Sequence, residues 1–185
     1  MSGPVTDVHV HMQPQAMLKP AVLEAFRHGS RDAQTAAACF DDPSALLRTM
    51  DEAGVERMVL INYESPDVMG FTSGTNDWVI DYCKAAPDRL LPCVGINPRF
   101  QDDVAGEARR LVDAGARMFK IHGPHMLLRA NAYLDELPSL GDLYRIAEET
   151  GRPVMFHTGT SIFRGARIKF GDPVQIDDVG CDFPA

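Results

Sequence analysis

The sequence predicts an α/β fold with parallel strands, and three observations support that prediction. Short apolar runs alternate with longer amphipathic stretches along the chain, as in strands joined by crossover helices. Each of the five apolar runs ends at or beside a histidine or an asparagine. Three amphipathic stretches end alike, at Glu52-Ala53-Gly54, Asp113-Ala114-Gly115 and Glu149-Thr150-Gly151, where glycine suits a helix C-cap. The same strand-and-helix unit therefore returns along the sequence.

Composition and charge indicate one globular domain with small-molecule partners. With 185 residues and 45% hydrophobic content, the chain is long enough for one sizeable core. The formal net charge of −8 and the absence of a Lys/Arg-rich block argue against a nucleic-acid or anionic-membrane surface, because both would repel an acidic protein. We therefore expect a small-molecule substrate, no nucleic-acid partner and no membrane partner, and the sequence leaves a homo-oligomer open.

The sequence also indicates a cytoplasmic protein. Residues 1–6 contain no basic segment followed by an apolar stretch, and no apolar run approaches the ~20 residues that a membrane helix needs. The four cysteines are widely separated and show no Cys-x-x-Cys spacing, so neither a disulfide framework nor a cysteine zinc site is indicated. We expect the cysteines to be reduced and mostly structural.

The first predicted element is a strand over Val5–His11, and it carries two histidines. Side chains in a strand alternate between its faces, so His9 and His11 share one face while the neighbouring valines share the other. Neutral imidazole is a common ligand of zinc and similar divalent ions. This strand therefore predicts part of a divalent metal site. Asp7 shares the face one pleat deeper, and we expect it to have a structural role.

The next elements follow from helical periodicity and capping residues. Residues 15–28 are partly helical in pattern, and the loop around residues 27–40 is uninformative. Asp42 can cap a helix that begins at Pro43, and apolar residues then recur at helical spacing up to Gly54. Further helical stripes lie over residues 78–86, 104–112 and 140–147. The predicted strands after the helices are Arg57–Asn62, Leu90–Asn97, Arg117–His122 and Pro153–Thr158.

The alternation of strands and helices allows two architectures, an open doubly wound sheet and a closed barrel of eight units. The polar strand ends favour the barrel, because all strand ends of a barrel converge on one mouth, where such folds carry their chemistry. A complete barrel takes ~250 residues, and only about five units are present here. We therefore predict an incomplete (β/α)8 TIM barrel, with residues 1–185 as the N-terminal portion of a single barrel domain. Its first and fifth strands would have unpaired edges.

Candidate site residues lie at the ends of the later strands. His157 follows the fifth strand and would join His9 and His11 in a three-histidine cluster at the barrel mouth. Lys120 and His122 share one face of the fourth strand and are the candidate catalytic residues. An inward lysine is costly to bury unless it is paired or near a ligand, and a salt-bridged core lysine is the alternative interpretation.

The loop after His157 is basic in an otherwise acidic protein. Its Arg164 and Arg167 are placed to clamp a carboxylate of a substrate, and ordinary solvated charges are the alternative interpretation. We expect His125, in the loop after the fourth strand, to be solvated. His28 is expected to be a helix-end residue without a catalytic role.

Four motifs occur together in this chain. They are the opening Asp-x-His-x-His, the Lys-x-His at Lys120, the His-Thr-Gly at His157 and the closing Asp-Pro-x-x-Ile-Asp-Asp-Val-x-x-Asp-Phe-Pro of residues 172–184. Together they resemble the amidohydrolase-related proteins, a branch of the metal-dependent amidohydrolase superfamily that also contains decarboxylases of aromatic and related acids. The His-x-His within the first motif is shared by the whole superfamily, whereas the closing segment is more specific to this branch.

The resemblance implies a distorted (β/α)8 barrel with one divalent metal ion, expected to be zinc, held here by His9, His11 and His157. The family completes this set with a histidine after the sixth strand and an aspartate after the eighth, and this sequence ends before both. The implied activity is metal-dependent hydrolysis of a small-molecule amide, ester or lactone by metal-activated water.

Two alternatives to hydrolysis stay open. The same metal and ligands can orient a small unsaturated or aromatic carboxylic acid for decarboxylation, and a basic residue such as Arg164 would then bind the carboxylate. The chain can instead be a catalytically incomplete fragment, because the aspartate that the family uses as acid and base is not within it. Release of carbon dioxide separates decarboxylation from hydrolysis.

Overall fold

The computed structural model describes residues 3–29 and 33–184, which contain a five-stranded parallel sheet. Its strands are β1 (Val5–His11), β2 (Val55–Ile61), β3 (Leu90–Val94), β4 (Met118–Ile121) and β5 (Val154–Phe156). The helices of the described ranges are α1 (Pro20–Gly29), α2 (Ala33–Asp41), α3 (Pro43–Ala53), α4 (Gly74–Cys83), α5 (Val104–Ala114), α6 (Gly123–Met126), α7 (Ser139–Glu149) and α8 (Gln175–Asp182). None of these helices is long and apolar enough to cross a membrane.

The strands lie side by side in sequence order, β1-β2-β3-β4-β5. Each strand is parallel to its neighbour, and β4 and β5, for example, align Lys120 with Met155. In a doubly wound sheet the strand order reverses at a switch point, whereas a barrel keeps the sequence order. The predicted incomplete barrel is therefore confirmed, as a half-barrel with β1 at one end and β5 at the other.

Capping residues set the helix boundaries where the sequence predicts them. The Asp42 side chain accepts a hydrogen bond of 2.8 Å from the Ser44 N–H, and Pro43 begins α3. Gly54 ends that helix with a φ of 69°, a left-handed conformation that glycine adopts without steric cost. Gly115 ends α5 in the same region, with a φ of 119°. These glycines turn the chain from a helix into the next strand.

Two details of the elements differ from the prediction. The strands predicted to reach Asn97 and Thr158 end earlier, at Val94 and Phe156, so their polar end residues lie in loops just beyond the sheet. Helix α2 falls in the stretch around residues 27–40 that the sequence leaves unassigned. Its alanines favour a helix but give no apolar periodicity. Residues 30–32 of that stretch lie outside the described ranges.

The core lies between the sheet and its helices and centres on β2, β3 and β4. The last three residues of β2 and of β4 are buried, as are four of the five residues of β3. Strand β1 differs, because only Val10 is even half-buried, and Val5 and Val8 are 47% and 52% exposed. All three residues of β5 are half-buried. The strand order also leaves the outer edges of β1 and β5 unpaired within the described residues, as expected.

Candidate active site

Five of the six histidines in the sequence line one cavity of about 340 Å³ beside the carboxyl ends of the strands. We call it the histidine cavity. His9 and His11 reach it from β1, His122 and His125 from the turn after β4, and His157 from the loop after β5. The remaining lining residues are Gln13, Phe26, Tyr63, Met69, Thr160, Ser161, Ile162 and Phe163. The strand order thus brings together side chains that are far apart in sequence.

His9 and His11 meet at one side of the cavity. Their Nε2 atoms lie 3.3 Å apart. Two nitrogens that share a tetrahedral zinc ion at about 2.0–2.1 Å each lie roughly 3.3 Å from one another, so the pair fits the spacing of two metal ligands. Partial desolvation in the cavity lowers the pKa of His9, and desolvation together with the neighbouring His9 lowers the pKa of His11 to about 4. Both rings are therefore neutral at physiological pH, which is the form that binds metals.

Asp7 holds the backbone of β1 rather than an imidazole ring. Its Oδ1 accepts a hydrogen bond of 3.0 Å from the backbone N–H of His9. The register between β1 and β2 shifts between Asp7 and Val10, so this bond lies in the irregular part of the strand. The contact agrees with the structural role expected for Asp7.

His157 lines the same cavity, but its ring has a partner elsewhere. The Nε2 of His157 lies 3.0 Å from the carbonyl oxygen of Thr160, to which Nε2–H donates. The described residues contain no group of three or more His, Cys, Asp or Glu side chains arranged to hold a metal ion. To bind a metal ion together with His9 and His11, His157 has to break its hydrogen bond to the Thr160 carbonyl or use its Nδ1 as the ligand atom. The three-histidine site therefore stays a prediction.

A second group of histidines forms a parallel stack. His122 lies between His125 and His157, with ring centroids 3.7 and 3.9 Å away and interplanar angles of 12°. Burial and the neighbouring histidines lower the pKa of His122 strongly and that of His125 to about 3, so the rings stack as neutral groups. The Nδ1 of His122 is buried and has no hydrogen-bond partner among the described residues. It is an unsatisfied polar atom inside the stack.

Lys120 is fully buried in β4. Its Nζ has no hydrogen-bond partner in the described ranges, so the salt-bridged alternative is not realised there. Burial lowers the pKa of Lys120 from 10.5 to about 8, and Cys93 acts in the opposite direction. The amine does not line the histidine cavity, but its charge lowers the pKa of all five cavity histidines. Lys120 therefore affects the cavity histidines through the electric field of its positive charge, and not through direct contact with a ligand in the cavity.

The two arginines predicted to bind a carboxylate lie outside the cavity. Arg164 and Arg167 are exposed and line no part of it, whereas residues 160–163 of the same loop do. The backbone N–H of Arg167 donates to the Pro124 carbonyl at 3.2 Å, which ties the loop to α6. Carboxylate binding by these arginines stays a prediction.

The expectation that His125 is solvated is wrong. His125 is 3% exposed, because the short helix α6 turns it inward. Its Nδ1 lies 2.8 Å from Tyr63 Oη, and its Nε2 lies 2.6 Å from Ser161 Oγ. Tyr63 and Ser161 were also not identified from the sequence as candidate site residues. The available signal was the position of Tyr63, an aromatic residue immediately beyond the polar end of β2.

The asparagines at the strand ends connect loops and do not line the cavity. The Nδ2 of Asn62 donates to the Met12 carbonyl, and its Oδ1 accepts from the Thr75 hydroxyl at 2.8 Å. The Nδ2 of Asn97 donates to the Met126 carbonyl at 3.2 Å. Both asparagines are buried, and they hold the loops that surround the histidines.

Comparison with protein families and curated proteins gives one match. The family model described as Amidohydrolase matches residues 6–185 of the chain. A search of curated proteins found no match.

Comparison with solved structures shows the same barrel fold. An uncharacterized TIM-barrel protein from Bordetella bronchiseptica is similar with a TM-score of 0.70 at 22% identity, over 98% of this chain and 64% of that chain. A 2,6-dihydroxybenzoate decarboxylase complexed with 2,6-dihydroxybenzoate gives a TM-score of 0.68 at 19% identity, over 100% of this chain and 64% of that chain. A probable 2-pyrone-4,6-dicarboxylic acid hydrolase from Acinetobacter baumannii, with citric acid bound, gives a TM-score of 0.54 at 16% identity. The similarity covers 85% of this chain and 50% of that chain. The chain thus spans between half and two thirds of the length of these proteins.

Proposed function

This chain belongs to the amidohydrolase family, and on that premise we propose that the histidine cavity is part of the active site of a metal-dependent hydrolase. The proposed substrate is a small-molecule amide, ester or lactone, and residues 1–185 are proposed to form the N-terminal portion of a single barrel domain. The observation that carries the proposal is the 3.3 Å spacing of the His9 and His11 Nε2 atoms, which suits two ligands of one divalent ion. We propose zinc as the ion and His157 as the third ligand, because imidazole donors suit zinc.

Metal dependence is a property of the family. A divalent ion, when bound, supplies Lewis acidity that polarises a carbonyl and lowers the pKa of water. His9 and His11 are already neutral, so they lose no proton when they bind it.

The proposed catalytic residues, Lys120 and His122, handle protons and charge beside the histidine pair. We propose that the unpartnered Nδ1 of His122 accepts a hydrogen bond from the ligand, while the strongly lowered pKa of His122 keeps its ring neutral. Lys120 does not line the cavity, so we propose that it acts through the positive charge that it carries below its pKa of about 8. Its positive charge also favours an anionic group nearby.

We further propose that the substrate carries a carboxylate. Two of the similar structures hold carboxylic acids, 2,6-dihydroxybenzoate in one and citric acid in the other. Arg164 directly follows residues 160–163, which line the cavity, and we propose that its exposed guanidinium binds the carboxylate. Arg167 lies further along the same loop.

Decarboxylation of a small unsaturated or aromatic acid is the second candidate function. The observation that favours it is the similarity, with a TM-score of 0.68, to a 2,6-dihydroxybenzoate decarboxylase. In this case the arginines would hold the carboxylate that leaves as carbon dioxide. Product analysis separates the two functions, because carbon dioxide appears only in decarboxylation.

Elemental analysis of the purified chain tests the metal site directly. We compare the wild-type chain with the double variant His9→Ala/His11→Ala, and with His28→Ala as a matched control, since His28 is an exposed histidine on α1. We expect about one equivalent of zinc in the wild type and in the control, and little in the double variant. Metal that stays in the double variant, or a wild type that binds none in excess zinc, contradicts the proposal.

A further inference from the structure

A chain of three polar groups runs from the core to the cavity, and the proposed metal chemistry does not use it. Tyr63 Oη lies 2.8 Å from His125 Nδ1, and His125 Nε2 lies 2.6 Å from Ser161 Oγ. Tyr63 and His125 are 1% and 3% exposed and Ser161 is half-buried, and all three line the histidine cavity. We call these three residues the Tyr–His–Ser relay.

Burial fixes the direction of the first hydrogen bond in the relay. Within the described ranges, His125 Nδ1 is the only hydrogen-bond partner of the Tyr63 hydroxyl. A buried O–H group without an acceptor is costly, and burial raises the pKa of the Tyr63 phenol, which therefore keeps its proton. Tyr63 thus donates to Nδ1, which carries no proton. Since the His125 ring is neutral, its proton lies on Nε2.

The direction of the second hydrogen bond follows from the first. The Nε2–H of His125 donates to Ser161 Oγ, and the backbone N–H of Phe163 donates to the same oxygen at 3.3 Å. A serine hydroxyl has two acceptor lone pairs and one hydrogen, so both of its acceptor positions are used. The hydroxyl hydrogen of Ser161 has no acceptor among the described residues. Towards the cavity, Ser161 can therefore act only as a donor.

We propose that Ser161 is a substrate-binding residue whose hydroxyl the relay fixes as a hydrogen-bond donor to a carboxylate or carbonyl oxygen in the histidine cavity. This inference rests on the proposed function, because it names how that cavity recognises its ligand. The relay excludes the reverse role, in which Ser161 would accept a hydrogen bond from a ligand. It therefore favours acidic or carbonyl-containing molecules over alcohols and amines that present only donors.

The positions of Tyr63 and Ser65 argue that the relay does more than hold a loop. A latch between α6 and the loop would be served equally well by Ser161 donating to His125, which needs no tyrosine. The backbone of His125 is also held separately, since the Ser65 hydroxyl donates to the His125 carbonyl at 2.9 Å. Tyr63 thus determines which atom donates in each hydrogen bond of the relay. That direction matters only to a ligand that contacts the Ser161 hydroxyl from the cavity.

The first experiment determines the tautomer of His125, and it needs neither metal nor substrate. Long-range ¹H–¹⁵N spectra of the labelled chain at neutral pH report which ring nitrogen carries the proton. We expect Nε2–H in the wild type, and a mixture of tautomers in Tyr63→Phe, where the donor to Nδ1 is lost. A wild-type ring protonated on Nδ1 reverses the relay and overturns the inference.

Ligand binding is the second measurement, with benzoate as the probe. We expect Ser161→Ala to weaken benzoate binding about tenfold by calorimetry, because a hydrogen bond to a charged oxygen is lost. Ser161→Thr keeps the hydroxyl and should restore most of the affinity. Thr72→Val is the control, because Thr72 is exposed and lies outside the histidine cavity and the relay. Its affinity should stay within twofold of the wild type.

The outcomes separate this inference from the proposed function. Equal benzoate affinity in Ser161→Ala and the wild type, in variants whose thermal melting shows a folded chain, overturns the role of Ser161. A wild type that does not bind benzoate overturns the assigned ligand class. If zinc fails to bind but Ser161→Ala still weakens benzoate binding, the metal proposal fails and the inference stands.

Discussion

Strands β1 and β4 both carry residues of the candidate active site, but they are held in different ways. On and just after β4, Lys120 is 0% exposed and His122 is 4% exposed, whereas His9 and His11 on β1 are both exposed. Packing on all sides fixes the β4 residues. The β1 histidines are aligned by strand periodicity, by the hydrogen bond from the His9 N–H to Asp7 and by the 3.3 Å contact between their Nε2 atoms. The site is therefore preorganised on its buried side, while the histidine pair relies on its ligand to hold it.

Gly95→Ala is expected to have the largest effect, because it disturbs the buried side. An added Cβ would overlap the Cβ of Tyr63 and lie 2.6 Å from the Lys120 carbonyl oxygen. We expect a loss of about 3 kcal/mol in the free energy of unfolding, measured by urea denaturation. Gly180→Ala in α8 is the control, since its Cβ meets no atom within 4 Å, and it should be neutral or slightly stabilising. An unchanged midpoint for Gly95→Ala would contradict the rigid packing described here.

Lys120→Met tests the cost of the buried charge in metal-free protein. The pKa of Lys120 falls from 10.5 to about 8 on folding, so between these values the unfolded chain binds more protons and the wild type gains stability as pH rises. The variant lacks this gain. We expect it to be more stable than the wild type at pH 7 by on the order of 2 kcal/mol, and the difference to shrink towards pH 10.5. A difference that does not change with pH would mean that Lys120 is not desolvated.

Val8→Thr, on the exposed strand, is expected to have the smallest effect. Because Val8 is 52% exposed, we expect a change within about 0.5 kcal/mol in the free energy of unfolding. The same substitution at Val59, which is 4% exposed on β2, buries a hydroxyl and should cost about 1–2 kcal/mol. Equal losses at the two positions would show that the β1 face is covered in solution.

Local patterns predicted the elements and the histidine pair. Asp42 with Pro43 and the glycines after α3 and α5 act within one helical turn, so their sequence neighbourhood determines their role. The pairing of His9 with His11 needs only the two-residue period of a strand. Sequence order also predicted that His157 and His122 would reach the same cavity, because parallel strands end on the same side.

The Tyr–His–Ser relay could not be predicted, because it depends on contacts between distant segments. His125 follows Pro124, and that context is typical of an exposed loop. Only the turn of α6 and the loop after β5 bury His125 between Tyr63 and Ser161, which are 62 residues before it and 36 residues after it. The same limit applies to Arg164 and Arg167. Their charge pattern indicates anion binding, but loop conformation decides whether they reach the cavity.

The strand order has a consequence for how the chain folds. Each strand pairs with the strand that precedes it in sequence, so the sheet can grow by adding one strand at a time to the same edge. No strand has to be inserted between two that are already paired. Each pairing still closes a loop, since Val5 of β1 pairs with Val55 of β2, and the entropy of that loop is lost before the contacts form. During synthesis, β1 and β2 can therefore pair before β5 has left the ribosome, and the histidine cavity is completed only when the last of these strands joins.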